Sequence, residues 1–109
     1  MDKVSLIALG RQHLAAAHDA HSAHTVYGGH QHTLRQTLIA LTAGTSLDDH
    51  ESPGEATLQV LHGRVRLTTR DTSWDCRSGD HLIIPSTRHS LHALDDCVVL
   101  LTVAKSVQQ

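Results

Sequence analysis

Apolar residues recur along this chain in two rhythms. Between Val4 and Ala17 they return every three or four residues, with Leu6, Leu9, His13 and Ala17 on one face, which predicts a helix over 4–17. Ser5 suits its N-cap. Gly10 sits mid-helix and should weaken it by about 1 kcal/mol relative to Ala. Residues 18–24 are polar and read as a loop, and Gly28–Gly29 reads as a turn.

From residue 34 onward the rhythm shortens to two. The stretch LRQTLIALTAG predicts a strand with Leu34, Gln36, Leu38 and Ala40 on one face and Arg35, Thr37, Ile39 and Leu41 on the other. Apolar side chains on both faces predict that it is sandwiched within a barrel or a dimer. Residues 46–54 read as a loop, and Ala56 to Leu61 as the next strand. Short apolar segments follow in RVRLTTR, SWDC, HLIIP, RHSLHAL and CVVLLTVAK, each set off by turn residues. Strands with turns every eight to twelve residues signal an all-β barrel or sandwich. Gly63 and Gly79 are each predicted in a tight turn between antiparallel strands, because glycine adopts positive φ without steric cost. The expected layout is one domain, with an N-terminal helix and arm over 1–30 and a barrel over 31–105.

Composition narrows the picture. A chain of 109 residues buries roughly 60–70% of its unfolded surface as a single domain. It has no Phe, one Trp and one Tyr, so its core must be built from Leu, Val, Ile and Ala. No apolar run approaches the roughly 18 residues of a membrane span. The opening MDKVSLIALGRQHL is not read as a secretory leader, so a cytoplasmic protein is expected. Cys76 and Cys97 form no CxxC and are expected to stay thiols. Net charge is −2 with neutral histidines, and no basic run is long enough to track phosphates, which argues against nucleic acid. The chain carries 11 histidines, and full protonation would take the charge to +9. His13, His18, His21 and His24 lack finger-type spacing and read as a solvated face rather than a metal cluster.

The informative stretch runs from Gly44 to Ala93. Gly44, His50 and Gly63 match a first motif of glycine, five residues, His-x-His, three or four residues, Glu, six residues and glycine. Gly79, Pro85 and His89 match a second motif of glycine, five residues, proline, a short turn and His. On these residues the chain resembles the cupin superfamily, specifically the small single-domain cupins of the conserved-barrel type. The resemblance implies a double-stranded β-helix, or jelly-roll, barrel with a short N-terminal helix. It also implies a homodimer. A helix outside such a barrel is expected across an open end or against a neighbouring subunit.

In that pattern three histidines and a glutamate hold one divalent metal, here Fe, Mn, Ni, Cu or Zn. Carried over residue by residue, His50 and His89 occupy histidine positions. Ser52 stands at the second histidine of the first motif, Ala56 at the glutamate and Ala93 at the second motif's asparagine. Glu55 lies one residue before the glutamate position and needs a bulge to face inward. A third donor is sought from Glu55, from His30 or His32, or from a partner subunit. Ser52, Leu58 and Leu91 are expected to line the ligand pocket, with an inward Arg35 available to an anion. Two function classes follow: a metal-binding protein acting on a small organic molecule, as an oxygenase or isomerase, or a metal-free ligand-binding or sensing module.

Overall fold

Alternation decides the sheet positions. Along Glu55–His62, Ala56, Leu58 and Val60 are buried while Glu55 and Gln59 are exposed, the period of a strand with one face on a core. The computed structural model describes residues 3–17, 21–50 and 55–104, with the side chains of 48–50 outside the description. It contains helix α1 (Leu6–Ala17) and strands β1 (His21–Tyr27), β2 (Leu34–Leu41), β3 (Ser46–His50), β4 (Glu55–His62), β5 (Arg64–Thr69), β6 (Ser73–Arg77), β7 (His81–Ile83), β8 (His89–Ala93) and β9 (Cys97–Ala104). No helix among these residues is long and apolar enough to cross a membrane.

The strands form two antiparallel sheets, β1-β2-β9-β4-β7 and β3-β8-β5-β6. Their inner faces enclose a core of aliphatic residues and cysteines that includes Leu41, Leu58, Val60, Val65, Leu67, Leu91 and Val99. Gly28 and Gly29, both at positive φ, join β1 to β2. The jelly-roll barrel expected from the sequence is therefore the observed architecture.

Four expectations change. Residues 21–27 are a strand, not a loop, and β1 pairs with β2 along its length. Residues 46–50 are likewise strand, paired to β8, while 51–54 lie outside the described residues. Gly63 and Gly79 have positive φ as expected, but they join strands of opposite sheets, so each turns a corner instead of closing a hairpin. Finally, α1 does not cross an open end. It lies on the outer face of β2 and β9, where Leu6, Leu9 and Leu14 cover Leu38, Ala40, Val98 and Leu100. The second apolar face of β2 is thus answered within the same chain.

The helix begins as its sequence dictates. The Ala8 N–H donates to Ser5 Oγ at 3.2 Å, the N-cap bond, and the Leu9 N–H donates to the Ser5 carbonyl at 3.0 Å. Gly10 is buried, and a Cβ built there would stand 3.0 Å from Val98 Cγ1. Glycine here lets the helix approach the sheet. Gly10→Ala is therefore expected to lose the usual helix-propensity gain of about 1 kcal/mol and to destabilise by about 1–2 kcal/mol, since Val98 is β-branched and has little freedom to give. A thermal melt showing a more stable variant would contradict this.

The outer face of the four-stranded sheet is polar. Arg64 donates to Asp95 and Arg66 to Asp75, each at 2.7 Å from Nε. The guanidinium hydrogen bonds hold both carboxyl groups below the usual aspartate range. Both pairs are exposed and contribute little to stability.

Candidate functional site at the mouth of the barrel

Strand connections define the two ends of the barrel. At one end Leu41 pairs with Cys97, the Gly44 N–H donates to the Ala93 carbonyl at 2.9 Å, and Gly63 links β4 to β5. At the other lie Leu34, Glu55 and Ala104 of one sheet and His50, Thr69 and His89 of the other. This second end is the mouth, and residues 84–88 run from β7 to β8 beside it.

His89 opens β8, the strand between β3 and β5, and shares its inward parity with Leu91 and Ala93. It is 4% exposed, the one buried polar or charged residue among those described. Its Nδ1 stands 2.9 Å from the Thr87 carbonyl. A carbonyl only accepts, so Nδ1–H donates, and the ring nitrogen left for another partner is Nε2. A backbone carbonyl leaves no trace in sequence, so Thr87 was not among the expected site residues.

His50 ends β3, and its Cα is the register partner of His89, beyond an irregularity that follows Leu47. Its side chain lies outside the described residues, as does all of Ser52. Glu55 is exposed on the face of β4 opposite Ala56 and Leu58; the structure does not bring it inward. Ala56, at the position where the resemblance puts a carboxylate, is 4% exposed and packed in the core. Leu58 and Leu91 belong to that core too. Arg35 shares the parity of Ile39 and Leu41 but is exposed; with Thr25, Gly29 and His30 it lines a separate pocket of about 280 Å³. None of these four residues stands on the strands that carry His50 and His89. Among the described residues no group of three His, Cys, Asp or Glu side chains is arranged to hold a metal.

The fold of two antiparallel sheets recurs in solved structures. A conserved protein of unknown function from Streptococcus pyogenes is 25% identical, with 83% of this chain matched to 78% of that one at a TM-score of 0.74. An RmlC-like cupin protein from Desulfovibrio desulfuricans is 26% identical over 77% of this chain and 81% of its own, with a TM-score of 0.67.

The chain is a small cupin-fold protein.

The likeness extends to salicylate 1,2-dioxygenase from Pseudoaminobacter salicylatoxidans at 23% identity and a TM-score of 0.67, where 77% of this chain matches only 26% of that one. That match shows a shared fold. No family model and no curated protein matches this sequence.

Proposed function

We propose that this cupin binds a divalent transition-metal ion, a small organic ligand, or both at the barrel mouth, with His50 and His89 as the imidazole donors. The observation that carries the reading is His89, a buried imidazole on the inward face whose Nδ1–H is tied to a backbone carbonyl. Metal-ligating histidines are oriented in this way, by a hydrogen bond from the nitrogen that does not ligate. Cross-strand partners share one face of a sheet, so the register of His50 with His89 supports a common site.

Two imidazoles fit a loosely held ion with open coordination positions, and suit Zn, Ni, Cu, Fe or Mn. Such an ion supplies Lewis acidity toward a ligand oxygen. The protein's own residues orient His89, through the Thr87 carbonyl, and wall the site with Leu91 and Ala56. The expected result is substoichiometric to stoichiometric metal in protein purified without a histidine tag, and less metal per chain in His89→Ala. Elemental analysis of the two proteins checks this, with circular dichroism confirming the fold of the variant. Wild type free of metal, and taking up none from added Zn²⁺, Ni²⁺ or Fe²⁺, would overturn the metal reading.

One observation favours the metal-free alternative. Ala56 offers no donor and Glu55 faces away, which leaves the mouth short of the carboxylate that completes the resembling pattern. In that case the site is a metal-free binding or sensing pocket beside His89, and a small organic ligand would bind equally well in the presence of a chelator.

A further inference from the structure

Two imidazoles meet outside those motifs. His13 on α1 and His24 on β1 have ring centroids 5.1 Å apart with planes tilted by 42°. The register explains the meeting. Ser22 pairs with Ala40 and His24 with Leu38. Ala40 and Leu38 belong to the outer cluster beneath the helix, so Ser22 and His24 lie on the face that α1 covers. His13 stands one turn after Leu9 on the helix face turned to the sheet. Its Nδ1 is 2.8 Å from Ser22 Oγ, which sits two residues before His24 on the same side of β1.

We propose that His13 and His24 form a two-imidazole site for a divalent transition-metal ion at the seam between α1 and β1, with Ser22 orienting the His13 ring. A metal–nitrogen bond is about 2.0–2.1 Å, and a ring centroid lies roughly 1.1 Å behind its nitrogen, so two imidazoles on one tetrahedral ion have centroids roughly 5 Å apart. The observed centroid separation of 5.1 Å matches that spacing. The hydrogen bond of His13 Nδ1 to a hydroxyl is the outer contact that fixes a ligating ring and directs Nε2 to the ion. Imidazole donors without thiolate or carboxylate favour Cu²⁺, then Ni²⁺ and Zn²⁺, over Mg²⁺ or Ca²⁺. Among the described residues no third His, Cys, Asp or Glu completes the set, so the ion keeps water ligands and exchanges readily. One donor comes from the helix and one from the sheet, so occupancy ties α1 to β1.

The test uses tag-free full-length protein and the bare ions. Substoichiometric Cu²⁺ is expected to broaden the ring-proton NMR signals of His13 and His24 together. Zn²⁺ titrated calorimetrically should occupy one site fewer in His24→Gln and in His13→Gln than in wild type. Losing even an outer partner of a ligand costs about 10–100-fold in metal affinity, so Ser22→Ala should weaken this site by about 10-fold while keeping its stoichiometry. His24 is exposed, so His24→Gln retains the fold and decides the matter even where His13→Gln does not. Exposed His81, on β7, is the control: His81→Gln should change nothing. An unchanged number of sites in folded His24→Gln, or broadening confined to His50 and His89, overturns the proposal. The mouth reading fails separately, through His89→Ala, which leaves the seam site intact.

Discussion

Gly63→Ala is expected to destabilise the protein by about 3 kcal/mol or more, a drop in melting temperature on the order of 15 °C for a domain of this size. Two costs combine. Gly63 has φ +79°, a left-handed conformation that costs a residue with a Cβ about 1–2 kcal/mol. The added Cβ would also overlap the Asp96 carbonyl oxygen and stand 2.8 Å from Cys97 Cβ. Both obstacles are fixed, because one is backbone and the other opens β9, so relief requires moving the strand at a further cost of about 1–3 kcal/mol. Gly79 supplies the comparison. Its φ is +93°, but a Cβ there meets nothing within 4 Å, so Gly79→Ala should cost only the conformational part, about 1–2 kcal/mol. Thermal melts of the two variants check the contrast, and equal losses would contradict it.

Cys97 should resist thiol reagents in the native protein by a factor of about 10³ relative to an unperturbed cysteine, from ionisation alone. The residue is fully buried in the core, and burial pushes its thiol up to about 12 from an ordinary 9.0. Three pH units separate the two values, and the thiolate is the reacting form. Below pH 9 the folded and unfolded thiols are both protonated, so the native state loses nothing. Between about pH 9 and 12 the unfolded thiol ionises while the folded one does not, so stability falls as pH rises through that window. Alkylation followed by mass spectrometry, at pH 8 with and without denaturant, measures the first effect. Melting temperatures from pH 8 to 10.5 in wild type and Cys97→Ala measure the second. Native labelling of Cys97 within tenfold of the denatured rate would count against the buried-thiol argument.

The barrel was legible where apolar alternation met turn residues. Residues 56–61 carry the period of two, residues 97–103 form a continuous apolar run set off by Asp95–Asp96, and the helix carries its N-cap and its three- and four-residue steps. The pattern failed where a strand earns its place by pairing alone. β1 has a mostly exposed burial pattern and little besides Val26 to signal a core face, yet its backbone completes the edge of the five-stranded sheet. β3 opens with Ser-Leu-Asp-Asp-His, whose acidic residues read as a loop. Turn residues such as Gly63 and Gly79 announce a reversal without saying which sheet receives the next strand. For the site, motif spacing singled out His89, and parity correctly set Ala93 and Leu91 beside it. The partner of its Nδ1 was a main-chain carbonyl, and the meeting of His13 with His24 depends on where the helix packs. Neither of these is written in local sequence.

The order β1-β2-β9-β4-β7 has a consequence for how the protein is made. The last strand to be synthesised among those described, Cys97–Ala104, occupies the middle of the larger sheet, between β2 and β4. On the ribosome those two strands emerge dozens of residues earlier and have no neighbour to pair with between them. A nascent chain stalled before Cys97 therefore presents two open edges flanking an empty lane, beside the apolar side chain of Leu58. Such edges are templates for pairing with other chains. Closure then has to come as a late, concerted step, in which β9 inserts and the helix gains Val98 and Leu100 to sit on.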